Sequence, residues 1–133
     1  MNKEDRTDFK EEARQAEELE AQAKAQPDAG TYVHKLKKPF TRGGRTVEAL
    51  TFDWDSLTGR DYDAIEGEIV RGGGTLILPE YTGLFLSHMA VRACTDRDEK
   101  GMRLVDKDFL NALPLREYKA ILGKARFFLL NGA

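Results

Sequence analysis

The stretch YVHKLKKPFTRGGRTVEALTFDW, residues 32–54, decides the fold. Apolar and polar side chains alternate along both halves of this stretch, and two adjacent glycines, Gly43 and Gly44, separate the halves. Alternation with a period of two is typical of a β-strand that buries one face. A glycine pair between two such strands favours a tight turn. The sequence therefore predicts a β-hairpin over residues 31–53.

The loop of this hairpin determines which residues face each other across the strands. A two-residue turn at Gly43 and Gly44 would pair Phe40 with Val47 and would place the apolar residues of the two strands on opposite faces. We therefore predict a three-residue loop over residues 42–44, with Gly44 in the left-handed bulge position. This register predicts three cross-strand pairs: Leu36 with Leu50, Tyr32 with Trp54, and Lys38 with Glu48.

The hairpin also carries basic residues, and two interpretations of them remain open. Lys35, Lys37, Arg42 and Arg45 stay exposed in the predicted register and could bind the phosphates of a nucleic acid. They could equally protect the edge of the hairpin against pairing with another strand. No aromatic residue is interleaved with them on that face to stack on bases, and the net charge of the chain is −2. We therefore do not expect nucleic acid to be the partner.

The length and composition of the chain suit a single domain with an acidic extension. Residues 1–26 contain eight acidic and five basic residues and few large apolar ones. We predict that residues 1–30 form an acidic helical or flexible arm and that residues 31–133 form one globular domain. No apolar stretch is long enough for a signal peptide or a membrane span. The single cysteine, Cys94, fits a reducing compartment, so we expect a cytosolic protein.

After the hairpin the sequence has helical periodicity. Ser56 or Thr58 can cap the first helical segment, and Asp106 can cap the third. The second segment is apolar on most sides, which predicts a central buried helix. We therefore predict an α+β fold, mostly α, in which one β-hairpin packs on a bundle of about four helices. The predicted helical segments are residues 55–70, 78–94, 105–114 and 114–132.

The chain lacks the residue patterns of a catalytic or metal site. Its only imidazole and thiol groups are His34, His88 and Cys94, and a spacing of six residues points His88 and Cys94 to different sides of a helix. The sequence RGGGT, residues 71–75, lacks the Gly-Lys-Ser/Thr ending of a phosphate-binding loop. We therefore predict that the protein is not an enzyme and uses no metal or other cofactor.

The last helical segment has more apolar surface than one buried stripe needs. The sequence RFFLL, residues 126–130, places four large apolar residues in one run, so this helix is apolar on two sides. Either the core of the domain covers both sides, or a partner covers one of them. The sequence leaves both interpretations open.

The order of the motifs resembles that of a known protein family. A basic strand that contains Pro39 and a glycine turn precede a second strand, and Thr58 to Asp61 forms a Thr-x-x-Asp opening of the next helix. The later sequence DFLNALPLREYKAI, residues 108–121, and the terminal FFLLNG, residues 127–132, complete the pattern. Over residues 31–132 the chain resembles the tail assembly chaperones of long-tailed bacteriophages, in particular the Mu-like kind.

This resemblance implies a role in phage tail assembly without catalysis. Such chaperones keep the long, aggregation-prone tape measure protein soluble, help to recruit tail tube subunits and are absent from the mature virion. The resemblance implies the host bacterial cytoplasm as the site of action and leaves self-association open. Two alternatives are a small nucleic-acid-binding regulator that uses the basic hairpin and a structural tail subunit that polymerises through the hairpin edge.

The apolar spacing of the last helix, rather than a family motif, suggests which residues bind the partner. The expected contacts are Tyr118, Leu122, Phe127 and Phe128, with Lys35, Lys37 and Arg42 as a secondary polar contact.

Overall fold

The computed structural model of the chain describes Arg14 and residues 30–131. Within these residues the predicted α+β, mostly α fold is confirmed, with one two-stranded antiparallel hairpin and four α-helices. The predicted arm lies outside the described residues, apart from Arg14 and Gly30. The elements are β1 (Thr31–Arg42), β2 (Arg45–Asp53), α1 (Gly59–Arg71), α2 (Gly83–Ala93), α3 (Lys107–Ala112) and α4 (Leu115–Asn131), with short 3-10 turns at Trp54–Ser56 and Pro79–Tyr81.

The turn of the hairpin differs from the predicted three-residue loop. Arg42 pairs with Arg45, so the turn contains two residues, Gly43 and Gly44. Both glycines have positive φ angles, 60° and 77°. Such a pair of left-handed residues matches the right-handed twist of the flanking strands, which is why two-residue hairpins favour it. The predicted loop over residues 42–44 was therefore wrong.

A register shift in β1 explains how the two-residue turn is compatible with one apolar face. Phe40 pairs with Val47, whereas Lys35 pairs with Ala49, so residues 36–39 lie opposite Glu48 alone. The extra residues let β1 keep His34 and Phe40 on its core side while the buried positions of β2 change from Val47 to Leu50. Pro39 lies among the extra residues, where its missing N–H breaks no ladder hydrogen bond. Two of the three predicted pairs, Leu36 with Leu50 and Tyr32 with Trp54, were therefore wrong. Lys38 and Glu48 both lie in the irregular stretch, and their predicted pairing stays a prediction. The observed partners beyond the shift are Tyr32 with Phe52 and His34 with Leu50.

Aromatic rings connect the inner face of the hairpin to the C-terminal part of α4. The Tyr32 and Phe52 ring centroids are 6.3 Å apart, and the Phe52 and Trp54 rings stack at 5.3 Å with an interplanar angle of 9°. The Phe128 ring follows, with its centroid 6.5 Å from that of Trp54. The backbone N–H of Trp54 donates to the backbone carbonyl oxygen of Gly30 at 2.6 Å. This aromatic row fixes the position of the end of α4 against the sheet.

The predicted caps of α1 and α3 are confirmed. The Thr58 N–H donates to Oδ2 of Asp61 at 2.8 Å, so the carboxylate in the first turn of α1 reaches back to the residue before the helix. The Phe109 N–H donates to Oδ1 of Asp106 at 2.7 Å at the start of α3. In α1 the side chains of Ile65 and Ile69 are buried.

The predicted central helix is α2, and it is confirmed as buried. Its apolar residues are enclosed by α1, α3, α4 and the hairpin. α4 packs on α2 and ends at Asn131. The buried residues of α2 are Phe85, Leu86, Ser87, Met89, Ala90 and Ala93.

Candidate docking surface

The four residues of α4 that the sequence suggested as partner contacts occupy different environments. Leu122 is only 8% exposed and belongs to the core. Tyr118 is partly buried and packs against the core. Phe127 and Phe128 are partly buried near the end of the helix. Of these four, Phe128 lies at an open apolar groove, and contact of any of them with a partner stays a prediction.

This groove lies between the start of α1, the middle of α2 and the end of α4, and we call it the α1–α2–α4 groove. Its volume is about 270 Å³. The floor and walls are mainly apolar because each helix contributes the edge of its buried stripe. The apolar lining residues are Leu57, Tyr62, Ile65, Phe85, Met89, Phe128 and Leu129.

Tyr62 forms one edge of the groove. This residue is 36% exposed. The ring packs against Phe85, with the centroids 4.9 Å apart and the planes inclined by 59°. Burial raises the pKa of the Tyr62 hydroxyl, and the neighbouring carboxylates of Glu80, Glu66 and Asp63 raise it further. An aromatic side chain with a polar tip at the edge of an apolar groove is typical of binding surfaces.

Exposed apolar residues lie on the segment that leads into α2, and we call residues 77–81 the apolar loop. Ile77 is 81% exposed and Tyr81 is 62% exposed. The loop is attached to α4, because Nε of Arg126 donates to the Glu80 carbonyl oxygen at 2.9 Å. The Arg126 guanidinium also lies 5.5 Å from the Tyr81 ring centroid. The sequence LILPEY, residues 76–81, carried a signal for this surface, since an apolar run outside a helix stripe has no obvious core position.

Ion pairs hold α1 on α2 beside the groove. Nη1 of Arg92 lies 2.9 Å from Oδ1 of Asp61, and Nη2 lies 3.2 Å from Oε1 of Glu68. Nδ1 of His88 lies 3.3 Å from Oε2 of the same Glu68. The Thr58 N–H, and then Arg92, lower the pKa of the Asp61 carboxyl, while burial lowers the pKa of His88. The two walls of the groove are therefore connected by charged contacts as well as by packing.

The basic residues of the hairpin do not line the groove. Lys35 and Lys37 are exposed on β1. Nη1 of Arg42 lies 4.0 Å from Oδ1 of Asp106, and Nη1 of Arg45 lies 3.3 Å from Oδ2 of Asp98. Carboxylates of the segment between α2 and α3 therefore offset two of the positive charges that a phosphate backbone would need.

The described residues show little that could carry chemistry. Within residues 30–131 no group of three His, Cys, Asp or Glu side chains converges as a metal site, and no helix is long and apolar enough to cross a membrane. Cys94 is buried, and burial raises the pKa of its thiol to about 12, so it remains protonated at neutral pH. His34 is enclosed with Glu117 between β1 and α4.

Comparison of the chain with known proteins returned no match to a protein-family model, to a curated protein or to a solved structure.

Proposed function

We propose that this protein is an assembly chaperone for the tails of long-tailed bacteriophages. In this role it binds the tape measure protein, keeps it soluble and helps to recruit tail tube subunits. It acts in the host bacterial cytoplasm and is absent from the mature virion. The motifs of residues 31–132 suggest this family, and the α1–α2–α4 groove supplies a surface that the role requires.

The observation that carries the proposal is the open apolar groove at the end of α4. Phe128 and Leu129 contribute to its wall while Phe128 also packs on the aromatic row of the core. The wall of the groove at Phe128 is therefore anchored to the core of the domain. A groove of this kind can accept the apolar face of a helix, which is how many helical segments are recognised.

The apolar loop extends the apolar surface near the groove. Arg126 connects this loop to the part of α4 that precedes Phe127 and Phe128. Contiguous exposed apolar residues with polar neighbours are typical of interaction sites. Binding to such a surface would cover the apolar helices of an aggregation-prone partner and so protect it.

Co-expression with a tape measure protein from the same phage genome tests the proposal. We expect the two proteins to co-purify in soluble form, and we expect the double variant Phe127→Ser, Phe128→Ser to lose the association. The matched control is Leu115→Ser, Met102→Ser, which changes two apolar residues that are 71% and 65% exposed and lie outside the groove lining. Thermal unfolding followed by circular dichroism shows whether each variant folds.

If removal of Phe128 from the aromatic row prevents folding, Leu129→Gln provides the second variant, because Leu129 lines the groove without contributing to that row. A tape measure protein that is equally soluble alone, with no association, would contradict the proposal. Detection of this chain in purified virions by mass spectrometry would instead favour a structural tail subunit.

A further inference from the structure

Three carboxylates lie around the exposed edge of the groove at Tyr62, and we call Asp63, Glu66 and Glu80 the acidic rim. Asp63 follows Tyr62 directly on α1, and Glu66 lies one helical turn further, on the side of Tyr62. Glu80 belongs to the apolar loop. All three carboxylates are close enough to Tyr62 to raise the pKa of its hydroxyl. The apolar groove is therefore bordered by negative charge on this side.

The part of the chain that the structure describes does not neutralise this rim. Asp63, Glu66 and Glu80 make no ion pair within residues 30–131. Arg92 pairs with Asp61 and Glu68 rather than with a rim carboxylate. Arg126 donates to the backbone carbonyl of Glu80 and lies on the Tyr81 ring, without an ion pair to the Glu80 carboxylate. An apolar groove with uncompensated carboxylates beside it matches a partner with apolar and basic groups.

We propose that the α1–α2–α4 groove binds one amphipathic helix of another protein, whose apolar side chains enter the groove and whose lysine or arginine side chains lie against Asp63, Glu66 and Glu80. This inference rests on the proposed function, because both use the α1–α2–α4 groove, and it adds the class of segment that the groove binds. It concerns the chemistry of recognition, whereas the proposed function concerns the identity of the partner.

The dimensions of the groove fit a helix better than a small molecule. Its volume of about 270 Å³ is at or below the lower limit of sites for drug-sized ligands, roughly 300–1,000 Å³. The groove therefore accepts a few side chains while the rest of the partner stays outside. Met89 on its floor has a flexible side chain that adapts to apolar groups of different shape.

Charge also distinguishes this occupant from other candidates. Nucleic acid would be repelled by the acidic rim. Residues 1–26 of the chain contain eight acidic and five basic residues, so this segment has a net charge of −3 and is a poor match to the same rim. If a second copy of the chain occupied the groove, the protein would form dimers in a concentration-dependent way, and the experiment below would detect this.

Two synthetic peptides test the inference with the full-length chain. One peptide has leucines at helical spacing flanked by lysines, and the other has glutamates in place of the lysines. We expect the lysine peptide to bind and the glutamate peptide to bind at least about tenfold more weakly by fluorescence anisotropy. Added salt should reduce this difference, because the rim charges are exposed. Methyl signals of Ile65, Met89 and Leu129 in NMR spectra should shift on addition of the lysine peptide.

Charge-neutral variants provide the matched comparison. The rim variant Asp63→Asn, Glu66→Gln, Glu80→Gln should bind the lysine peptide about tenfold more weakly and should bind the glutamate peptide no more weakly than the unmodified chain does. The control Glu48→Gln, Asp55→Asn, Glu99→Gln removes the same charge from exposed positions away from the groove and should bind as the unmodified chain does. These surface changes leave the apolar core intact, so both variants should fold.

Several results would overturn the inference. Equal binding of the two peptides would remove the role of the acidic rim, and methyl shifts confined to residues outside the groove would remove the role of the groove. A concentration-dependent dimer that excludes the peptide would assign the groove to a second copy. Binding of the lysine peptide without binding of the tape measure protein would support the inference and contradict the proposed function. Binding of the tape measure protein without binding of the lysine peptide would support the proposed function and contradict the inference.

Discussion

Nε2 of His34 lies 3.0 Å from Oε2 of Glu117, and this contact joins β1 to α4 across 83 residues of sequence. Both side chains are buried, at 7% and 9% exposure. Because an ionised carboxylate can only accept, the imidazole donates from Nε2. Nδ1 lies 2.7 Å from the Tyr32 hydroxyl, which donates to it when the imidazole is neutral. A continuous row of hydrogen bonds therefore holds the hairpin on the last helix.

Replacement of Glu117 by alanine should destabilise the protein. The change leaves a buried imidazole N–H without its acceptor, which costs about 1–3 kcal/mol. Urea unfolding at neutral pH measures this loss. The control Glu48→Ala removes an exposed carboxylate from β2 and should change the free energy of unfolding by less than about 0.5 kcal/mol. Equal stability of the two variants would contradict a structural role for the contact.

Stability should decrease at alkaline pH through Tyr32. Burial, and then the Glu117 charge, raise the pKa of Tyr32 from 10.0 to about 12. A folded-state pKa above the unfolded value contributes stability that is present below pH 10.0 and is lost as the pH rises toward 12. Between about pH 8 and about pH 11 the unmodified chain should lose about 1.4 kcal/mol more than Tyr32→Phe. Parallel pH profiles of the two proteins in urea unfolding would show that Tyr32 does not titrate in this way.

The Cys94 thiol should be unreactive in the folded protein. Burial is the largest cause that raises its pKa from 9.0 to about 12, so little thiolate exists at neutral pH. Its Sγ donates to Oδ2 of Asp96 at 3.3 Å. Cys94 is the only cysteine, so a thiol reagent such as Ellman's reagent reports on this residue alone. We expect fast reaction in denaturing urea and slow reaction without it; fast reaction under both conditions would indicate that the site opens readily.

The hairpin turn should tolerate asparagine at position 43 but not valine. Gly43 has a φ angle of 60°, which asparagine adopts more readily than a β-branched residue does. Gly43→Val should therefore cost about 1–2 kcal/mol of unfolding free energy, whereas Gly43→Asn should have a much smaller effect. No atom lies within 4 Å of a Cβ at this position, so packing does not contribute to the difference. Thermal unfolding of the two variants distinguishes this turn from the three-residue loop, which requires the left-handed conformation only at Gly44.

Local features of the fold were predictable from the sequence. Thr58 and Asp106 were expected at helix starts, and the hydrogen bonds of Thr58 to Asp61 and of Asp106 to Phe109 confirm them. These signals act within one turn of a helix, so neighbouring residues determine them. The central position of α2 was also predictable, because a helix that is apolar on most sides requires cover on most sides.

The hairpin register was not predictable by the same reasoning. With a uniform register, a two-residue glycine turn and a common apolar face exclude each other. The prediction kept the apolar face and therefore chose a three-residue loop. The structure satisfies both by the shift between Lys35 and Phe40. At the shift the buried positions of β2 change from Val47 to Leu50 and Phe52, and beyond it His34 of β1 lies against Glu117 of α4. That contact lies far away in sequence, and alternation within the strands carries no information about it.

The sequence by itself determined the fold class, the helix caps, the central helix and the position of the hairpin, because propensity, capping and apolar periodicity act between near neighbours. Only the tertiary structure decided the hairpin register, the burial of Leu122 and the α1–α2–α4 groove. The groove joins Leu57, Met89 and Leu129, which come from three separate parts of the chain. The periodicity of a helix shows which of its sides is apolar, but the packing of the other helices determines whether that side is covered.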